Sequence, residues 1–194
     1  MPEPLKICID FGSSFTKIAI RREWDIQTEM VKFTSPVVTP TAETISEICV
    51  PSIAFKSTRD KEPKWFFGAT AMGMRPGEGL EEYRNWKNHF VTTEADAPDD
   101  RLLRTAGEFF KWLYREVRSN PVFGRYADVP LRVCVPDFDR LGRWRGWFCT
   151  VLEMAGWTLD DKHPILTEPY ANLVGALTLG RNRTSLQEGR RFPV

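Results

Sequence analysis

"KICIDFGSSFTKIAI", Lys6 to Ile20, decides the reading of the chain. Two runs rich in β-branched and aromatic residues, Leu5 to Ile9 and Phe15 to Ile20, flank a short polar connection with a glycine. That pattern predicts a tight hairpin whose turn runs from Asp10 to Ser14. Its chemistry is unusual for the tip of so apolar a hairpin. Gly12, Ser13 and Ser14 offer backbone N–H groups and small hydroxyls without side-chain bulk, which is what phosphate oxygens need when several donors must converge. Asp10 would repel a phosphate unless a cation lay between them, so the matching role for Asp10 is holding Mg²⁺, directly or through water. The alternative is a self-contained polar turn in which Asp10 and Ser13 bond neighbouring backbone.

Outward from this hairpin, residues 26–33 and 48–55 read as further strands, with a Pro- and Thr-rich loop from Thr34 to Thr44 between them. Pro51 places the second of these at an edge or bulge. From Trp65 the Gly- and Pro-punctuated stretch predicts a small irregular subdomain. Leu102, Leu103, Ala106, Phe109, Phe110, Leu113, Tyr114 and Val117 recur at helical spacing behind Asp100, an amphipathic helix of about five turns. "LRVCV", Leu131 to Val135, is a continuous apolar run suited to a buried strand. A helix from about Arg140 to Ala155 ends at Gly156, then come a short strand "PILT" and a helix from Pro169 to near Gly180. Strand, helix, strand, helix is the α/β order. The Arg-rich tail, 181–194, is expected to be disordered.

Composition narrows the function. With 194 residues, 42% hydrophobic, the chain can bury a core. Twenty-seven basic against 26 acidic residues, net +1, give no broad electrostatic reason for a nucleic-acid or membrane partner. The alternation of Arg and aromatics in "RWRGWF", Arg143 to Phe148, fits a helix with one packed and one solvated face. Cys8, Cys49, Cys134 and Cys149 show no Cys-x-x-Cys pair and read as reduced, buried thiols. His89 and His163 have no ligand-spaced neighbours, which argues against a protein metal cage. The N-terminus lacks a signal-peptide pattern and no run is long enough to span a membrane, so the cytoplasm is the expected location. No P-loop and no dinucleotide fingerprint occurs.

The hairpin resembles the first phosphate loop of the actin, sugar-kinase and heat-shock protein 70 superfamily, an Asp-x-Gly-Ser/Thr-Ser/Thr turn between two strands. Four further segments follow in the heat-shock protein 70 order: "VPSIAF" (Val50 to Phe55), "FGATA" (Phe67 to Ala71), "LRVCVPDF" (Leu131 to Phe138) and "AGWTLDDKHPILTEPYANLVGAL" (Ala155 to Leu177). The resemblance implies the first lobe of such an ATPase over residues 1–180. Its fold would be a ribonuclease-H-like mixed five-stranded sheet with packed helices, and residues about 45–115 would form an inserted outer subdomain. It places Asp10 near the metal and Gly12, Ser13, Ser14 and Phe15 on the phosphates. Glu168 takes the position of the acid near the metal-bound water and γ-phosphate, where actins carry Gln, and Lys87 in "RNWKNHF" that of the catalytic lysine, although its flanks differ.

A lysine, an Mg²⁺ and a carboxylate suffice for phosphoryl transfer to water, which needs charge neutralisation and an oriented nucleophile. The implied ligands are ATP or ADP with Mg²⁺, and the implied partners are clients, co-chaperones or a second lobe. No second Gly-rich phosphate loop follows Glu168 in the sequence. Losing about three charge-assisted hydrogen bonds at roughly 1.5–3 kcal/mol each would turn a micromolar site into one weaker than about millimolar. This polypeptide alone is therefore expected neither to bind MgATP tightly nor to turn it over. The rival expectation is a non-enzymatic interaction module that keeps the fold and has lost the chemistry.

Overall fold

The computed structural model describes residues 5–22, 28–33, 37–38, 44–45, 47–59, 61–89, 100–135 and 141–167. The hairpin is as expected: β1 (Leu5–Phe11) and β2 (Phe15–Arg22) pair antiparallel with Ile7 opposite Ile20 and Phe11 opposite Thr16. Period-2 alternation then puts Ile7, Ile9 and Phe11 with Thr16, Ile18 and Ile20 on one buried face, and Asp10 with its cross-strand neighbour Lys17 on the other.

Around this pair a mixed sheet is assembled. β3 (Thr28–Met30) runs antiparallel along the far part of β2, and two short strands, β4 (Val37–Val38) and β5 (Thr44–Ile45), pair only with each other. β6 (Val50–Pro51) occupies the same edge of β2 at its start, with Phe15 opposite Pro51. On the other side, β10 (Leu131–Val135) lies parallel to β1, and β11 (Ile165–Thr167) lies parallel to β10. The path β11-β10-β1-β2-β3 has five strands, and β6 makes a sixth.

The outer region departs from expectation. Residues 48–55 are not one strand. The chain leaves the main sheet at Ser52, and β7 (Ile53–Ser57) becomes the middle of a separate antiparallel sheet between β8 (Lys64–Phe67) and β9 (Leu80–Arg84). The stretch after Trp65, expected to be irregular, thus contains two strands flanking the one-turn helix α1 (Gly68–Met72). Its glycines sit in the turns and at α1, and the apolar patches between them form the ladders.

Two long helices cover the Phe11 face. α2 (Asp100–Ser119) buries Leu102, Ala106, Phe109, Phe110, Leu113 and Val117, the predicted apolar stripe. α3 (Leu141–Met154) packs beside it and ends as expected near Gly156, whose φ of +103° puts the chain in a region that favours glycine. Trp157, just beyond, donates its indole N–H to the Phe110 carbonyl at 3.1 Å, tying α3 to α2. Phe109 is the packing centre. Its ring meets Phe11 of the main sheet, Phe67 of the outer sheet, Trp86, Phe110 and Trp112 at centroid distances of 5.4–6.0 Å. All four cysteines are free, but only Cys134 is fully buried. No described helix is long and apolar enough to cross a membrane. The predicted helix after Pro169 and the tail lie outside the described residues.

One polar cluster ties the ends of the sheet together. Buried Asp160 accepts from Lys6 at 3.4 Å, Arg132 at 3.2 Å and the backbone N–H groups of Lys162 and His163 at 3.1 and 2.8 Å. Burial pushes its carboxyl up, but the amides and the Arg132 guanidinium together hold it at about 2, below the ordinary 3.8. A carboxyl that titrates lower folded than unfolded stabilises the fold fully above pH 3.8, and that contribution is lost as the pH falls through 2. Asp160→Asn is expected to lower the unfolding free energy at pH 7 by about 2 kcal/mol and to flatten the acid limb of stability against pH. Urea melts from pH 2 to 7 read both; an unchanged acid limb would count against the assignment.

Candidate functional site

The turn between β1 and β2 is open. Asp10, Ser13, Ser14 and Phe15 are exposed, Phe15 at 39%, although it is a large apolar side chain. The amides of Gly12, Ser13 and Ser14 donate to no carbonyl among the described residues. Their carbonyls are differently placed. The Ser52 amide donates to the Ser14 carbonyl at 2.8 Å, and the Ser52 hydroxyl lies 3.4 Å from the Gly12 carbonyl. In a trans peptide the C=O and N–H point in opposite directions. Drawing the Gly12 carbonyl toward β6 therefore turns the Ser13 amide away from β6. Gly12 is needed for a steric reason as well, since a Cβ there would lie 2.9 Å from the Phe15 carbonyl oxygen and 4.0 Å from Asp10 Oδ1. The geometry yields consecutive unpaired donors beside one carboxylate.

Lys87 is elsewhere. After β9 the chain turns at Asn85, which has a φ of +50°, and delivers Lys87 into the core at 3% exposure. Its Nζ donates to the Thr16 hydroxyl and lies 4.5, 4.8 and 5.8 Å from the ring centroids of Phe11, Phe109 and Trp86. Thr16 shares the helix-covered face with Phe11, so Lys87 approaches the hairpin from the face opposite Asp10. Burial drives the Lys87 ammonium well below its usual 10.5, with the Asp10 charge opposing this in part. Burial likewise pushes the Cys8 thiol up to about 11, helped by Asp10 and opposed by Arg132. Asp10, Gly12, Ser13, Ser14 and Phe15 are thus brought together, Lys87 touches the hairpin from inside, and Glu168 lies outside the described residues.

Two supporting residues were missed from sequence. Thr16 is a hydroxyl in an otherwise Ile-filled inward phase of β2, a signal that was available. Ser52 sits inside an apparently continuous strand, and nothing local shows that the chain changes sheets there.

No protein-family model and no curated protein matches the sequence. Among solved structures, a non-polymerising mutant of MamK bound to AMPPNP is similar over 92% of this chain, at 14% identity and a TM-score of 0.51. The chain has an actin-like fold. Within that fold, the mixed sheet and its two covering helices correspond to part of the neighbour only, since the chain spans 45% of the MamK chain's length. At that identity the actin-like likeness speaks to architecture alone.

Proposed function

We propose that this chain is a nucleotide-binding lobe in which the Gly12-Ser13-Ser14 turn holds the phosphates of ATP or ADP. The observation that carries the reading is the row of three unpaired amides at an open turn beside Asp10, on an actin-like fold. Mg²⁺ fits this donor set. No group of three or more His, Cys, Asp or Glu side chains is assembled among the described residues, and Mg²⁺ usually takes one or two carboxylates plus phosphate oxygens and waters. Asp10 would hold it, and the ion would neutralise phosphate charge. The chain's own groups bind and orient: the turn amides donate to the phosphate oxygens, and the Ser13 and Ser14 hydroxyls add donors. The AMPPNP bound to MamK supports a nucleotide ligand for this fold.

The five ordered segments support the heat-shock protein 70 branch, with Glu168 as the acid near the attacking water and chaperone work as the activity of the complete protein. Because the chain spans less than half of its neighbour, its own affinity for nucleotide is expected to be weaker than about millimolar. A second reading, a non-enzymatic interaction module, is favoured by one observation. Lys87, the catalytic lysine by resemblance, is turned into the core and away from the turn.

Titration of the ¹⁵N-labelled chain with MgADP is expected to shift the Gly12, Ser13 and Ser14 amides, with half-saturation above about 1 mM. Asp10→Asn should weaken binding about tenfold and remove its dependence on magnesium. Shifts scattered over the surface, with the turn unmoved, would sink the nucleotide reading. Turnover by the complete protein that Glu168→Ala slows would favour the ATPase reading, and a complete protein without turnover would favour the second.

A further inference from the structure

The exposed side of α2 is predominantly basic. Arg101, Arg104, Lys111, Arg115 and Arg118 follow one another at three- and four-residue steps, interrupted only by Glu108, and all five cations are exposed. At 1.5 Å per residue this file is about 26 Å long. It lies opposite the stripe of Leu102, Phe109, Leu113 and Val117 that holds the helix to the core, so packing does not require it. The chain as a whole is only +1, and the cations are concentrated here.

We propose that this face docks an acidic helical segment of a partner protein. Arg104 and Arg115 have no carboxylate within ion-pair distance among the described residues, while Lys111 is 4.0 Å from Glu108 and Arg118 is 2.7 Å from Asp128. The ends of the file are held in place: Arg101 lies over the Tyr83 ring at 4.4 Å and Arg118 accompanies Tyr114 at 5.8 Å. Guanidinium groups fixed in this way lose less freedom on pairing with carboxylates. Carboxylates on a second helix recur at the same three- and four-residue steps, so one helix can meet the file along its length.

Gly107 strengthens the case for a helix. An interior helical glycine is unfavourable relative to Ala, yet a Cβ at Gly107 would meet nothing within 4 Å. The fold does not need the missing methyl, whereas a partner backbone crossing beside the file would. Other anionic partners fit less well. Base stacking needs open aromatic faces, and those of Tyr83 and Tyr114 are taken by Arg101 and Arg118. Membrane insertion needs exposed apolar side chains; the exposed large ones among the described residues, Phe15, Val122 and Met154, are not on α2.

The probe is a fluorescein-labelled, stapled helical peptide of about 20 residues with Glu on one face at three- and four-residue steps, measured by anisotropy at low salt. Controls are a scrambled peptide of the same composition and a single-stranded DNA of similar charge. The wild-type chain is expected to bind the patterned peptide about tenfold more tightly than either control. R104E/R115E should abolish that preference without changing the melting temperature, since both side chains are exposed. Gly107→Leu should weaken peptide binding about threefold by blocking close approach. Equal binding of patterned and scrambled peptides, tighter binding of the DNA, or an unaffected double variant would each overturn the proposal. So would self-association of the chain that the double variant removes, because the occupant would then be a second copy.

Discussion

Replacing Lys87 by Met and Thr16 by Val together is expected to raise the unfolding free energy at pH 7 by about 1–3 kcal/mol, or the melting temperature by about 3–10 °C. Lys87 is enclosed by the Phe11, Phe109 and Trp86 rings and its described hydrogen-bond partner is the Thr16 hydroxyl. Folding therefore has to take out of water an amine that water would keep charged, and burial shifts it toward its neutral form. Met fills a similar volume without that requirement, and Val removes the hydroxyl that would otherwise be left unpaired. The sign of the pH dependence is fixed by the same reasoning. A lysine that titrates below 10.5 when folded binds fewer protons than in the unfolded chain. Stability should then rise with pH from the depressed folded value up to 10.5 and level off above it. The double variant should lose this slope. Thr16→Val alone should destabilise by about 1–3 kcal/mol, because it leaves a buried amine without its partner. Chemical denaturation of the three proteins across pH decides the matter: a double variant less stable than wild type would mean that Lys87 is charged in the fold and that the three rings hold it as an ammonium.

Phe109→Ala is expected to cost about 3–5 kcal/mol. Phe109 is fully buried, and it touches Phe11 of the main sheet, Phe67 of the outer sheet and two tryptophan rings. Truncation opens a cavity where the outer sheet meets the main core, so the outer sheet should come away before the main sheet melts. Denaturation followed by tryptophan fluorescence, to which Trp65, Trp86 and Trp112 near this junction contribute, should then precede the far-ultraviolet transition. Coincident transitions at a stability within about 1 kcal/mol of wild type would show that Phe109 does not bridge the sheets.

Much of this was legible in the residues. The Ile-rich phases on either side of Asp10 to Ser14, the stripe from Leu102 to Val117, and "LRVCV" between two prolines each carry their own periodicity, and each formed the expected element. The outer sheet was not legible, because β8 and β9 are short and become strands through pairing with β7 on both sides, a tertiary fact. The break at Ser52 was hidden for a related reason, since apolar residues on both sides serve different sheets. At the site, the turn was readable from residue chemistry alone. The orientation of Lys87 was not: the direction of a side chain after a left-handed Asn85 depends on what the folded core presents to it.

The central strand has a consequence for synthesis. β1 is made well before its parallel partner, which begins at Leu131, opposite Ile7 and 124 residues later. At about 5–20 residues per second on the ribosome, the nascent hairpin waits roughly 6–25 s with one backbone edge of β1 unpaired. That interval is far longer than the microseconds a hairpin needs to form. The chain is therefore most exposed to misassociation during that interval, when the hairpin is folded but the β1 edge still lacks its parallel strand.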